Sequence, residues 1–337
     1  MISAKGQKIC YLLGAGASAK SLPVVGNLPE RLKKLSDNIE RDFQKITPYD
    51  IDVGINDLIA ATSIKGLLIQ GLEWLSEESN NHSSIDTFAK KLFLQDDKKY
   101  YDLKLFLSEY FAIEQWKNQP DLRYDNFWAS ILDKKDTFPN RLRILSWNYD
   151  SQIEQSFLNF TDTDKLNICA EKLRVYSAKD DLKGFDKNLF SVFKLNGSAT
   201  FKDEGISKFY SDNYRSKDCI EFYSELLKNQ YQVSKKLSEP NLSFAWEHNT
   251  NEDYFTRLKE SVWETNVLVV IGYSFPFFNR NIDKFIINEC MPSLNKIYIQ
   301  APDADILKER LISITGNDIH SIVLNYDQNQ FLFPTEL

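Results

Sequence analysis

The sequence predicts an α/β fold: a mainly parallel, doubly wound sheet with helices on both faces. Three observations predict it. Short apolar runs recur along the chain, at 8–13, 142–147, 190–195, 266–273 and 296–300. Segments with helical spacing of apolar residues separate them. Several of the runs stop at glycine, asparagine or serine, the residues that turn a chain.

Taken in order, KICYLL (8–13) reads as a short buried strand. Over 27–45, Leu28, Leu32, Leu35, Ile39 and Phe43 recur at helical spacing. From about 50 to 135 the pattern stays helical, through LIAATSIKGLLIQGLEWLSEE, SIDTFAKKLFLQ and YYDLKLFLSEYFAIEQW. Ser84, with Asp86 and Thr87 behind it, caps the middle helix. This stretch is too long for one crossover, so 31–135 is expected to be a helical insertion packed on the sheet. LRILSW (142–147) is a second strand, and 149–158 starts a helix. FSVFKL (190–195) is a third strand. Residues 205–235 are polar and aromatic, with helical spacing near SELLKNQYQVSKKL, and 201–259 is expected to be a smaller helical or irregular insertion. NVLVVIGY (266–273) has the strongest buried-strand pattern of the chain. A helix at 281–290, a strand at 296–300 (KIYIQ), a helix at 303–315 and an edge strand at 320–324 (HSIVL) follow. The expected organisation is one domain over 1–337, with its core drawn from 1–30, 136–200 and 260–337.

Composition narrows the function classes. The chain has 337 residues, 42% of them hydrophobic and 26% charged, so a sizeable core can be buried. A net charge of −7 argues against broad nucleic-acid binding, which needs clustered Lys and Arg. Lys33-Lys34, Lys90-Lys91 and Lys134-Lys135 are isolated pairs that suit solvated helix faces. Cys10, Cys169, Cys219 and Cys290 form no CxxC, so neither a thiolate zinc site nor any other metal site is expected. No apolar run approaches 18 residues and no signal peptide is read at Met1. The expectation is a cytoplasmic protein that does not enter a membrane.

Gly14, Gly16 and Ala19 match the looser dinucleotide fingerprint, G-x-G-x-x-G/A, directly after a strand. The first glycine permits a tight turn, and the second lets backbone N–H groups approach a pyrophosphate. Ser18 adds a hydroxyl. The plainer alternative is that small residues let strand and helix pack closely. An ordinary dehydrogenase shows a strand ending in Asp or Glu about 20 residues on. Here that region reads KKLSDNIERDF and is helical. The loop therefore suggests a Rossmann-like dinucleotide site without the usual hydride-transfer layout.

Three further strand ends carry small or amide residues: SWNYD (146–150), KLNGS (194–198) and GYSF (272–275). Singly, each is a turn. Together with GAGAS (14–18) they suit one cleft, because ligands of open α/β sheets gather beyond the carboxyl ends of the strands.

GAGAS followed by SLP, SWNYD before a helix, KLNGS, GYSF and the segment SIDTFAKKL (84–92) together resemble the SIR2-like domains of bacterial antiviral defence, over residues 8 to about 302. The resemblance implies a sirtuin-type fold without the zinc module of the deacetylases. It also implies hydrolysis of free NAD⁺ to nicotinamide and ADP-ribose, starving an infected cell. By the same resemblance, Gly14, Ala15, Gly16 and Ser18 cradle the pyrophosphate. Asn148 sits at the nicotinamide ribose and Asp150 supports that pocket, with Asn196, Gly197 and Ser198 in the KLNGS corner. Gly272, Tyr273 and Ser274 line the adenosine side, with Asp283 on the next helix and the end of KIYIQ near the adenine. NAD⁺ is implied as substrate, with no other cofactor. A constitutive NADase would harm its host. The resemblance therefore also implies a resting state released by homo-oligomerisation or by a separate partner such as an ATPase, an Argonaute or a sensor.

One position departs from the family pattern. Asn196 stands where these domains usually carry histidine, and an amide cannot take a proton. A positioned base is worth about 10²- to 10⁴-fold in rate. Nicotinamide leaves as a neutral molecule, so orientation and electrostatics can carry much of the reaction. Asp86 or His82 can supply the base if the insertion closes over the pocket as a lid; the alternative is a capping aspartate and a loop histidine. Tyr149 is expected to pack, Trp147 to face the opposite side and fill core. Phe275, Phe277 and Phe278 either pack in the core or stack on adenine. Three functions are thus in view: an NAD⁺ hydrolase, a weakened NAD or ADP-ribose sensor within a defence complex, and a scaffold with a vestigial pocket.

Overall fold

The computed structural model describes residues 6–23, 27–44, 58–178, 184–203, 206–209, 218–250, 252–315 and 321–337. Parts of four expected elements lie outside the described residues: 45, 50–57, 205 with 210–217, and 320.

Ten strands are present among the described residues: β1 (Lys8–Leu13), β2 (Leu142–Ser146), β3 (Val175–Ser177), β4 (Ser191–Lys194), β5 (Gly197–Asp203), β6 (Ile206–Lys208), β7 (Glu239–Leu242), β8 (Thr265–Ile271), β9 (Lys296–Gln300) and β10 (Ser321–Asn325). Seven of them form one parallel sheet in the order β10-β9-β8-β1-β2-β4-β3. Its central strands are mainly apolar because both faces are covered, with Arg143 in β2 and Lys194 in β4 buried among them. In β1, Ile9, Tyr11 and Leu13 enter one core, whereas Cys10 and Leu12 enter the other.

The helices divide between those cores. Helices α1 (Leu28–Gln44), α2 (Leu58–Asn81), α3 (Ile85–Leu94), α4 (Lys99–Lys117) and α5 (Leu122–Ile131) make the expected insertion. Together with α6 (Gln152–Phe157), α7 (Leu166–Lys172) and α8 (Cys219–Ser234), they bury Leu32, Leu68, Leu103, Phe127, Phe157 and Leu226 on the first face. Helices α9 (Glu252–Val262), α10 (Arg280–Lys284) with the π-helical segment Phe285–Cys290 that continues it, and α11 (Ala304–Thr315) bury Leu258, Ile286 and Leu311 on the second. The fold is therefore the expected Rossmann-like α/β layout. No helix among the described residues is long and apolar enough to cross a membrane.

Caps set several helix starts. The Ser84 hydroxyl accepts from Thr87 N, as the sequence suggests, at 3.2 Å. Asp121 caps α5 and Asp218 caps α8. The expected insertion at 201–259 is not simply helical or irregular. It contributes β6 and β7, which pair antiparallel with β5 in a second, three-stranded sheet. Its strands are short and polar, so apolar runs do not reveal them.

The order of the large sheet determines where a ligand can sit. From β1 the chain moves outward to β2 and on to β3 at the edge, and β4 then fills the place between them. The chain then returns to pair β8 on the other side of β1. The direction of winding reverses between β1 and β8, and such a switch point opens a crevice beyond the strand ends.

Candidate functional site at the switch point

A cleft with a cavity volume of about 150 Å³ occupies that crevice. Its walls include Gly14, Ala15 and Ser18 after β1, Asn148 and Asp150 after β2, Asn196 after β4, and Gly272, Tyr273 and Ser274 after β8. The four corners read from the sequence thus meet in one place.

The glycines serve first to bring two loops together. Gly14 N donates to Ile271 O at 3.0 Å and Gly16 N to Gly272 O at 2.9 Å. A Cβ on Gly14 would lie 2.5 Å from Tyr273 Cα, and one on Gly16 would lie 2.6 Å from Gly272 Cα. Gly272 has φ +59° and would drive a Cβ into the Gly16 backbone. Close packing through small residues is therefore real, but it joins loop to loop rather than strand to helix. Gly16 itself does not line the cleft, whereas Gly14, Ala15 and Ser18 do. After them comes a single 3₁₀ turn, Ala15–Ser18, not the long helix that the fingerprint expects.

A residue the sequence does not single out holds this loop from behind. Arg123 Nη2 donates to Gly16 O at 2.9 Å and Ala17 O at 3.1 Å. Asp121 orients the guanidinium at 2.6 Å. The only local signal is Asp121 as a helix cap in QPDLR.

Asn148 Nδ2 donates to Ser18 Oγ at 3.4 Å, and Ser18 Oγ lies 3.3 Å from the Tyr124 hydroxyl. Asp150 is buried, and burial raises its carboxyl above the ordinary value against the pull of Lys194. Lys194 Nζ donates to Asp150 O at 2.6 Å and pairs with Glu154 at 3.3 Å.

Asn196 is the centre of a short chain of polar groups. Its Nδ2 donates to Trp147 O and to the Tyr149 hydroxyl, both at 3.4 Å. The Tyr149 hydroxyl in turn donates to Asp86 Oδ1 at 3.4 Å. Asn196 Oδ1 is buried with no hydrogen-bond partner among the described residues. Asp86, in the first turn of α3, reaches the cleft as the lid expectation requires. Burial pushes its carboxyl up to about 6, against the Tyr149 hydrogen bond.

His82 does not reach the cleft. Its Nδ1 lies 2.9 Å from Glu78 O and its ring packs on Phe88. Gly197 has φ +65° and turns the chain into β5 against Asn241, and Ser198 Oγ pairs with Thr200 Oγ1 at 2.8 Å. Neither lines the cleft. Tyr149 is more than a packing residue, since its hydroxyl joins Asp86 to Asn196. Trp147 belongs to the second core yet also lines the cleft, and it stacks on Tyr273 at 5.8 Å.

Asp283 stands behind the wall rather than in it. It accepts from the Tyr273 hydroxyl at 2.9 Å and 3.1 Å, while Asn279 Nδ2 donates to the same hydroxyl at 3.0 Å. Burial pushes the Asp283 carboxyl up to about 8. Of the three phenylalanines, Phe275 lies in the core and Phe277 is 80% exposed; none lines the cleft. The last residue of KIYIQ, Gln300, supports Gly272 N through its carbonyl at 3.0 Å. No group of three or more His, Cys, Asp or Glu side chains that could hold a metal ion occurs among the described residues.

Fold and cleft together define a Rossmann-like α/β protein with a cleft at its switch point. No protein-family model matches the chain, and no curated protein matches it.

Proposed function

We propose that the chain is an NAD⁺ hydrolase, releasing nicotinamide and ADP-ribose, and that it acts in the cytoplasm as an NAD-depleting effector of anti-phage defence. One observation carries the reading: Asn148 and Asp150, Asn196, and Asp86, from three separate segments, meet in one cleft beside the glycine loop. The defence role rests on the resemblance of the motifs to SIR2-like domains.

The chemistry follows from the groups present. No Lys, Arg or His lines the cleft among the described residues, whereas two carboxyls do. Such a wall suits a sugar that becomes cation-like as its C1′–N bond breaks. The bond's electron pair leaves with neutral nicotinamide. A water oxygen then bonds to C1′ and its proton passes to Asp86. A carboxyl raised to about 6 is a competent base near neutral pH. Asn196 cannot take that proton, but its unpartnered Oδ1 accepts from a ribose hydroxyl. Tyr149 positions Asp86 relative to Asn196. Because the amides of Gly14 and Gly16 are used between loops, the pyrophosphate falls to the Ala15 backbone and the Ser18 turn.

Mass spectrometry of NAD⁺ incubated with the pure protein, alone and with candidate partners or conditions that drive oligomers, tests this. Nicotinamide release that disappears in Asn148→Ala is the expected result. No release under any condition overturns it. Asn196 in place of a histidine favours a second reading, a sensor that binds NAD⁺ intact. Calorimetric NAD⁺ binding, with the dinucleotide unchanged after hours and activity gained in Asn196→His, would establish that instead.

A further inference from the structure

A second pocket, with a cavity volume of about 350 Å³, adjoins the cleft and shares Pro276 with it. Two arginines span it in opposite directions. Arg280, at the start of α10, donates from Nη2 to Ser313 O near the end of α11, at 2.8 Å. Arg310 on α11 donates from Nη1 to Ser274 O, also at 2.8 Å. Each guanidinium has five N–H groups, so most of its donors remain for another acceptor. No carboxylate lines the pocket, and neither arginine is ion-paired among the described residues. Arg31, Arg123 and Arg257 are paired with Glu114, Asp121 and Asp253, whereas Arg41, Arg141 and Arg143 bond, like Arg280 and Arg310, to neutral oxygens. In a chain where 48 acidic residues face 41 basic ones, an acid-free pocket with two unpaired guanidiniums runs against the composition.

Phe277 supplies the other half of the chemistry. It lines the same pocket and is 80% exposed, with its ring at the surface. A flat ligand ring covers such a face, and an anion beside it meets both guanidiniums in the planar, bidentate manner that suits phosphate. The volume falls within the small-molecule range of about 300–1,000 Å³.

We propose that this pocket binds a 5′-mononucleotide, with its phosphate between Arg280 and Arg310 and its base against Phe277. The site is separate from the cleft and does not depend on NAD⁺ hydrolysis. Arg310 holds the carbonyl of Ser274, a cleft residue, so occupancy is poised to alter the cleft wall.

Calorimetric titration of the full chain with AMP, GMP, CMP and UMP, and with inorganic phosphate alone, tests the proposal. At least one nucleotide should bind more tightly than phosphate. Arg280→Gln and Arg310→Gln should each weaken it by about 10- to 100-fold, the usual loss for a charged hydrogen bond. Phe277→Ala should weaken the nucleotide and leave phosphate unchanged. Melting temperatures close to that of the parent confirm that these surface variants fold. Nucleotide affinity that is absent, or equal in both arginine variants and the parent, overturns the site. Affinity no better than that of phosphate overturns the ligand class. Arginine-dependent nucleotide binding in a protein that never cleaves NAD⁺ leaves this site standing and removes only the hydrolase reading.

Discussion

Asp86 carries its carboxyl where folding does not favour its charge. Its ordinary value of 3.8 rises to about 6, chiefly by burial. A folded-state value above the unfolded one means that the native chain binds the proton more tightly. The stability from that proton is complete below 3.8 and is lost as pH climbs through about 6. At pH 8 the carboxylate is therefore a local liability, the arrangement found where function outweighs stability. Asp86→Asn should raise the melting temperature at pH 8 and lower NAD⁺ turnover by about 10²- to 10⁴-fold. In the parent, turnover should rise through pH 6 and level off above it, because a base acts when deprotonated. Thermal melts and nicotinamide release across pH 5–9 check both. A variant that loses stability and keeps its turnover would return Asp86 to the role of a capping residue. Tyr149 and Trp147 show why single residues are hard to assign from sequence. Strand alternation predicts which side of a strand a residue faces. Both residues follow the end of β2, where that alternation no longer applies.

At the scale of elements, α3 and the two glycine loops position these side chains. Ser84 caps α3 through Thr87 N, and Asp86 sits in the first turn so fixed. Ser84→Ala should lower stability by about 1 kcal/mol and reduce turnover, whereas Ser84→Asp, another good cap, should restore both. Urea melts alongside rate assays separate the two effects. The contact between loops is less forgiving. Gly272→Ala meets a left-handed φ of +59° and a collision with Gly16 backbone. The conformation alone costs roughly 1–2 kcal/mol, and forced overpacking adds about 1–3 kcal/mol. Gly272→Ala should therefore destabilise by about 2–5 kcal/mol, Gly16→Ala by the overpacking of about 1–3 kcal/mol alone, and both should weaken dinucleotide binding. The parallel sheet and its five central strands were legible because strands covered on both faces are mostly apolar, even where Arg143 and Lys194 interrupt them. The four ligand-facing corners were legible because each directly follows such a strand. The antiparallel strands β5–β7 were not, since Asp203, Lys208 and Glu239 interrupt any apolar run. Arg123 was not legible either: it meets the glycine loop more than 100 positions away in sequence, at a distance only the fold sets.

Across the whole molecule, buried carboxyls set how stability depends on pH. Asp283, held beneath Tyr273, rises from 3.8 to about 8, and Asp86 to about 6. Glu109 on α4 is also raised well above its ordinary value by burial. Each contributes stability that is complete below its unfolded value and lost as pH rises through its folded value. Asp121 runs the other way. Burial raises it, but the hydrogen bonds and charge of Arg123 outweigh that and lower it. Its contribution is therefore lost as pH falls. The upward shifts dominate above pH 6, because there Asp283 is still losing its proton while Asp121 is already fully ionised. The melting temperature of the whole chain should thus decline from pH 6 upward and flatten through about pH 8, where Asp283 gives up its proton and the native state no longer binds more protons than the unfolded chain. Asp283→Asn keeps an acceptor for the Tyr273 hydroxyl but cannot ionise, so it should flatten that decline and leave the acid limb unchanged. Calorimetric scans of both proteins at half-unit pH steps make the comparison. If the parent's melting temperature is level across that range, Asp283 does not hold a buried proton beneath the cleft wall, and the Trp147–Tyr273–Asp283 stack is not packed as described.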